Sequence, residues 1–389
     1  MKLRFVCSWC FLLFATLAVA SDTERQDEIL LRHHLALQAG DHLVIMSEPG
    51  GEELTEAAFR TALRMGAHVS ALPALPNQNE IELREATEET LRWVSPVAKA
   101  AIETADAMLV IGAPENTRAE AGVDPARLAA FQERQGWLMG ILFQRIGGGE
   151  LRWVYTQSPT PALAQQAGMG LLEYRDFAWR AMRLDQQDPV ESWKQMCDVQ
   201  AAVIESLTGV NQLRLKGSNI DLSLSIEGRT FLTDCMGENL PAGEIYTSPV
   251  EDSVAGWVRF SYPLIYRGQE ISDLRLWLED GRVTRFEAAS GKEFLETIFE
   301  IDEGARVFGE LGIGLNPGVD RFTKNMLFDE KMGGTIHLAL GAGFPEAGGT
   351  NRSKIHIDML VDMSDAVIEA DGERVYENGQ FLAPGKRNR

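Results

Sequence analysis

The segment "NIDLSLSIEG", residues 219–228, divides the chain into two parts with different sequence patterns. Apolar and polar residues alternate within it, and this period of two is typical of a strand that buries one face of an antiparallel sheet. The apolar positions are Ile220, Leu222, Leu224 and Ile226. We therefore expect a β-rich C-terminal part that begins shortly before this strand.

The chain before this segment alternates strand-like runs with helical ones. The strand-like runs are short and apolar: "DHLVIM" (41–46), "HVSALPAL" (68–75), "AMLVIG" (107–112) and "LRWVYT" (151–156). Two of the helical runs open with Asp-Pro, at Asp124 and Asp188, where Asp caps the helix and Pro fits its first turn. This alternation predicts βαβ units around a parallel sheet.

The C-terminal part also contains a hairpin signal. In "LRLWLEDGRVTRF", Asp280-Gly281 separates two strand-like runs, and a helical pattern follows near 292–301. A chain of 389 residues exceeds one compact core of ordinary size. We predict an α/β N-terminal domain with a parallel sheet, residues 21–209, and a β-rich α+β C-terminal domain, residues 210–389.

The N-terminus has the pattern of a secretory signal. Lys2 and Arg4 precede an apolar run, residues 5–20, that ends in an Ala-x-Ala site. The run is short for a bilayer span, which needs about 20 residues. An uncleaved anchor is the alternative interpretation. We predict cleavage after residue 20, export, and no stable membrane insertion afterwards; if the signal is misread, the protein is cytoplasmic.

Composition restricts the partners. The formal net charge is −20, so nucleic acid is not an expected partner. Such acidity serves solubility, or it forms a cleft that attracts metal cations or a protonated amine. Cys197 and Cys235 lie outside the signal and lack zinc-finger spacing. We expect unpaired thiols there, although a disulfide between them is the alternative.

The segment "IHIDML", 355–360, is the first candidate for chemistry. Because alternate residues of a strand share a face, His356 and Asp358 point the same way. An imidazole beside a carboxylate suits a divalent transition metal. For this motif alone, a His–Asp ion pair on a half-exposed strand is an equally good or better interpretation.

Three further residues strengthen the metal interpretation. His337 lies in the apolar run "GTIHLALG", Glu244 in "NLPAGEIYTSP" and Glu310 before the glycines of "GELGIGLNPG". A carboxylate in an apolar setting is costly unless it is paired or bound to a metal. With His356 and Asp358, these residues suffice to hold two metal ions with a bridging carboxylate or water.

Together these segments resemble the M29 family of metallo-aminopeptidases, the thermophilic aminopeptidase type. The resemblance covers most of the chain from Leu30 and is strongest from Asn239 to Asp358. The segments that carry it are "NLPAGEIYTSP", "DEGARVFGELGIGLNPG", "LFDEKMGGTIHLALG" and "GGTNRSKIHID".

The resemblance implies a two-metal exopeptidase that removes N-terminal amino acids from short peptides, and a homodimer. Its metal ligands fall on Glu244, Glu310, His337, His356 and Asp358. The cofactors would be two divalent ions of zinc, cobalt, manganese or magnesium. Glu310 is the first candidate for the general base and Glu244 the second, although either can serve purely as a ligand.

One position departs from the family pattern. A family tyrosine near the metals aligns with Phe344, which has no hydroxyl group. Tyr246, two residues from Glu244 on the same strand face, either supplies the missing hydroxyl or simply packs as an aromatic residue. Both residues are predicted to contact substrate. The signal sequence is a second departure, because such enzymes are usually cytoplasmic.

Two other functions remain open. One is a mononuclear non-haem iron enzyme with a triad of His337, His356 and Asp358, which leaves Glu244 and Glu310 unexplained. The other is a relative that binds metal or peptide with little activity, because Phe344 replaces the tyrosine. The sequence has no P-loop, no GxGxxG and no Gly-x-Ser-x-Gly elbow.

Overall fold

The computed structural model describes residues 22–382, except Met236 and Arg267. Its first part alternates strands and helices, as predicted. The strands are β1 (His42–Ser47), β2 (His68–Pro73), β3 (Ala107–Gly112) and β4 (Arg152–Gln157). The helices are α1 (Asp22–Glu28), a π-helix (Ile29–His34), a 3-10 turn (Pro49–Gly51), α2 (Glu52–Arg64), α3 (Gln78–Glu85), α4 (Glu88–Arg92), α5 (Pro96–Thr104), α6 (Pro125–Gly147), α7 (Pro161–Gln166), α8 (Leu171–Ala181) and α9 (Pro189–Leu207).

Local chemistry explains how α6 and α9 begin and how α2 ends. The carboxylate of Asp124 accepts the N–H of Ala126 at the start of α6, and Asp188 accepts that of Glu191 at the start of α9. Gly66 follows α2 with φ +86°, a conformation that glycine adopts without strain. The two Asp-Pro pairs are therefore helix caps.

The strands of the first part form a parallel sheet with the order β2-β1-β3-β4. A short strand from beyond residue 209, β8 (Asn239–Leu240), extends this sheet by pairing parallel with β4. The core around the sheet includes Leu43, Leu109 and Val154 from its strands and Phe328 from the second part. The two parts of the chain thus share a sheet and a core.

The second part is rich in strands. They are β5 (Gln212–Lys216), β6 (Ile220–Ser225), β7 (Leu232–Thr233), β9 (Glu244–Thr247), β10 (Ala255–Arg259), β11 (Leu264–Tyr266), β12 (Gln269–Ile271), β13 (Arg275–Glu279), β14 (Arg282–Glu287), β15 (Phe308–Gly314), β16 (Thr335–Gly341), β17 (His356–Asp362), β18 (Val367–Ala370), β19 (Glu373–Glu377) and β20 (Gln380–Phe381). The helices are α10 (Lys292–Phe299), α11 (Met326–Asp329) and 3-10 turns at Glu303–Arg306 and Pro345–Ala347.

Two larger antiparallel sheets pack against each other. One has the order β14-β13-β10-β6-β5-β18-β19-β20, and the other has the order β17-β16-β15-β9-β7. Their apolar faces share one core that includes Leu222, Leu276, Leu311 and Leu338. The hairpin at Asp280-Gly281 joins β13 to β14, and both residues have positive φ. The structure therefore confirms the predicted fold class.

The expectation of unpaired thiols is wrong. Cys197 on α9 and Cys235 after β7 form a disulfide, with their Cα atoms 5.5 Å apart. Cysteine spacing alone does not reveal this pairing, because it depends on how α9 packs beside β7 and β9.

The predicted signal peptide, residues 1–20, lies outside the described residues. Among the residues that are described, no helix combines the length and the apolar character needed to cross a bilayer. The predicted domain boundary, between residues 209 and 210, lies in the loop that follows α9, which ends at Leu207, and precedes β5, which begins at Gln212.

Because His34 is buried, we expect the free energy of unfolding to fall in acid. His34 is 8% exposed, its Nδ1–H donates to the carbonyl of Gly237 at 3.0 Å, and burial lowers its pKa to about 4. The unfolded chain takes up this proton near pH 6.5, so stability falls as the pH drops from about 6.5 towards 4. Between pH 7.5 and pH 5, His34→Gln should lose about 2 kcal/mol less stability than the wild type in urea unfolding. Equal losses in the two proteins would contradict this assignment.

Candidate metal centre

The site lies on one face of the sheet β17-β16-β15-β9-β7. Register brings its residues into adjacent rows: His337 lies opposite Gly312, Gly312 opposite Tyr246, and Asp358 opposite Ala339. Because side chains alternate between faces, Glu244, Glu310, His337, His356 and Asp358 all point away from the apolar core. The intervening residues, which include Ile245, Leu311, Leu338, Ile357 and Met359, fill that core.

Glu310 lies between the two histidines. Its Oε1 is 3.2 Å from His337 Nε2, and its Oε2 is 2.9 Å from His356 Nε2. His356 Nε2 is also 3.4 Å from Asp358 Oδ1, and His337 Nε2 is 3.4 Å from Glu244 Oε2. The structure therefore brings together the five residues that the sequence suggested as ligands.

The donor atoms fit a metal ion. One ligand atom each from Glu310, His337 and Asp358 lies within 4.8 Å of the other two. Glu244 Oε2 and Asp358 Oδ1 are buried oxygens without a hydrogen bond in the described part of the chain. Buried polar atoms normally have a partner, and imidazole with carboxylate is a donor set that divalent ions accept. A bound cation would satisfy both oxygens.

The negative charge of the carboxylates in the cluster also favours the binding of cations. Burial raises the pKa of Glu310, but the imidazoles of His337 and His356 outweigh this effect and bring the pKa down to about 2. Burial lowers the pKa of His337, but Glu310, Glu244 and Asp358 outweigh it and raise the pKa to about 10. Without metal, the bound proton of the His337 imidazole thus supplies positive charge to the cluster. Metal binding should therefore release this proton.

The sequence interpretation missed a lysine at this site. The side chain of Lys331 is fully buried, and its ammonium contacts Glu330, lies 2.9 Å from Glu244 Oε1 and lies 3.9 Å from Asp234 Oδ2. The motif "LFDEKMGG" contained a signal, because three charged residues in a row precede an apolar strand. Asp234 had no such signal, since only the fold brings it near Lys331.

Gly312 makes room for His337. A Cβ atom built at Gly312 would overlap the imidazole ring of His337, the residue paired with Gly312 on the neighbouring strand β16. The flat glycine surface therefore allows the ring to lie over β15 and reach Glu310.

We expect Gly312→Ala to displace the ring and weaken zinc binding roughly 10- to 100-fold, the range typical of changes that disorient a metal ligand. Titration calorimetry of the metal-free protein measures this effect. Gly136→Ala on α6, where a Cβ meets nothing within 4 Å, is the control and should bind zinc normally. Unchanged affinity in Gly312→Ala would contradict the role assigned to His337.

The two residues predicted to contact substrate lie beside the cluster. The ring of Phe344 is 4.8 Å from that of Tyr246 and 5.4 Å from that of His356, measured between centroids. Phe344 follows β16 and is partly exposed, so an aromatic wall borders the cluster. Tyr246 packs against Phe344, the position at which the resemblance predicts a tyrosine. This contact fits the interpretation that Tyr246 packs as an aromatic residue. Because alternate residues of a strand share a face, Tyr246 also lies on the same face of β9 as Glu244.

Comparison with known proteins places the chain among metallopeptidases. Residues 11–381 match the family model described as thermophilic metalloprotease (M29). Aminopeptidase 2 of Geobacillus stearothermophilus is 27% identical over 92% of this chain and 97% of its own length. Aminopeptidase T of Thermus aquaticus is 27% identical over 72% of this chain and 76% of its own. The solved structure of wild-type AmpT from Thermus thermophilus matches with a TM-score of 0.81 at 22% identity, over 93% of this chain and 99% of that one.

Proposed function

The chain belongs to the M29 family of metalloproteases, and on this premise we propose that it is an aminopeptidase with two divalent metal ions. Its relatives in the comparison are named aminopeptidases. Glu244, Glu310, His337, His356 and Asp358 are the proposed ligands. The substrates would be short peptides with a free N-terminus.

The position of Glu310 is the observation that carries this proposal. Each of its two oxygens faces a different imidazole, at 3.2 Å and 2.9 Å. Glu310 would share in holding both ions, together with His337 and His356. Glu244 and Asp358 then lie on opposite sides of it, each next to one of these histidines.

Charge balance supports two ions rather than one. The carboxylates at the site outnumber the single Lys331 ammonium by four when both imidazoles are neutral; they are Asp234, Glu244, Glu310, Glu330 and Asp358. Two divalent ions balance four negative charges. A single ion would leave two negative charges to be balanced by protons on the imidazoles, and a protonated imidazole cannot bind a metal ion.

The side chains would divide the work of peptide hydrolysis. When bound, the ions supply Lewis acidity and an acidic bound water. Glu310 is the first candidate for the general base and Glu244 the second, and either can serve purely as a ligand. Glu330 is a further candidate for the proton acceptor, because its side chain is 17% exposed and contacts Lys331 beside Glu244. It would pass the proton to the leaving amine.

The mononuclear iron alternative is not favoured. Its triad of His337, His356 and Asp358 would exclude Glu310, which lies between the two histidines. It would also leave Glu244 Oε2 without a partner.

Metal analysis combined with a substrate screen tests the proposal. We expect two zinc, cobalt or manganese ions per chain and release of p-nitroaniline from Leu-, Arg- or Ala-p-nitroanilide, dependent on added metal. One iron ion per chain would favour the mononuclear non-haem iron enzyme. Stoichiometric metal without turnover of any substrate would indicate a binding relative.

We also retain export and homodimer formation as proposals. The Cys197–Cys235 disulfide supports export, because disulfides persist mainly in oxidising compartments. Size-exclusion chromatography with light scattering tests the oligomeric state, and fractionation of the producing cells tests the location.

A further inference from the structure

The Cys197–Cys235 disulfide fixes a segment that leads to the proposed metal site. Cys235 directly follows Asp234, and Cys197 lies on α9. A second link joins the same elements, because the hydroxyl of Thr233 donates to the side-chain carbonyl of Gln200 on α9. This segment, residues 233–235, is called the arm. One covalent bond and hydrogen bonds thereby attach the arm to the long helix α9.

Asp234 connects this segment to a proposed ligand. Its carboxylate is 7% exposed and accepts the backbone N–H groups of Gly243, at 2.9 Å, and Glu244, at 3.0 Å. It also lies 3.9 Å from the ammonium of Lys331, which contacts Glu244 Oε1 at 2.9 Å. One carboxylate thus holds both the backbone that carries Glu244 and the lysine that orients its side chain.

We propose that the Cys197–Cys235 disulfide and Asp234 position Glu244 for metal binding, so that the metal affinity depends on this arm as well as on the ligands. The inference rests on the proposed function, because it takes Glu244 to be a ligand. Groups behind a ligand fix its orientation, and loosening them lowers affinity even when every ligand remains. Without the disulfide, the arm is held to α9 by packing and by hydrogen bonds, which exchange with water.

Zinc titration of the full-length, metal-free protein tests this inference. We expect the double variant Cys197→Ser/Cys235→Ser to bind zinc at least tenfold more weakly, with an unchanged circular dichroism spectrum. Asp234→Asn, with the disulfide intact, should weaken binding in the same direction, because its amide oxygen carries no charge and its nitrogen cannot accept a hydrogen bond. This second variant keeps the test valid if the double variant fails to fold.

Val203→Ala is the matched control on α9. Val203 lies in the core and outside the arm, so its truncation lowers stability but should leave the zinc affinity within twofold of the wild type. Wild-type affinity in both the double serine variant and Asp234→Asn would overturn the inference and leave the proposed function intact. Failure of the wild type itself to bind zinc would overturn both.

Discussion

Glu310→Gln should reduce the hydrolysis of an aminoacyl-p-nitroanilide by at least about a thousandfold, equivalent to roughly 4 kcal/mol of transition-state stabilisation. The variant keeps the size of the side chain, so the fold should be retained. It removes the negative charge between His337 and His356 and replaces one oxygen with an amide nitrogen that cannot bind a metal ion. The two oxygens of Glu310 face different imidazoles, so a single substitution disturbs both proposed ions.

Metal analysis should accompany this rate measurement. We expect Glu310→Gln to retain fewer than two ions per chain after dialysis, whereas a group that only transfers protons would leave the metal content intact. Glu369→Gln, which removes a partly exposed carboxylate paired with Lys216, is the control and should behave as the wild type. Wild-type turnover in Glu310→Gln would show that Glu310 has no catalytic or essential metal-binding role.

Lys331→Met should destabilise the metal-free protein by about 3–5 kcal/mol, because it leaves the buried carboxylates around it without their ammonium. Lys331 is fully buried and contacts Glu244 and Glu330 directly. Methionine fills a similar volume, so little of the loss arises from a cavity. The loss should be smaller with metal bound, because the ions then neutralise part of the same charge. Urea unfolding with and without zinc measures both values.

The same substitution at Lys324 provides a matched control. Lys324 pairs with Glu270 at 3.1 Å, but both side chains are partly exposed, at 34% and 42%. Its removal should therefore cost less than about 1 kcal/mol. If Lys331→Met unfolds at the same urea concentration as Lys324→Met, the buried ion cluster does not stabilise this fold.

The elements that the sequence predicted well are those with strong local signals. The runs at 41–46 and 107–112 became β1 and β3, and the caps at Asp124 and Asp188 begin α6 and α9. The strand β8 was missed, because Asn239–Leu240 is too short to show a period, and it pairs with β4 through a contact distant in sequence. Tertiary packing, rather than local propensity, creates such strands.

The candidate ligands could be found from the sequence because each stands out in an apolar strand or beside a turn. Their compensating groups could not. Asp234 looks like an ordinary polar residue after β7, and only the antiparallel pairing of β7 with β9 brings it beside Glu244. Lys331 belongs to the motif "LFDEKMGG", yet its complete burial among Asp234, Glu244 and Glu330 depends on the tertiary fold.

The short strand β8 limits how the two parts of the molecule can move. Only residues 241–243 separate its last residue, Leu240, from Glu244, and β8 is paired with β4 in the other part. A hinge between the parts would pull directly on a proposed ligand. Movement of one part against the other would therefore displace Glu244, and we expect it to disturb the proposed metal site.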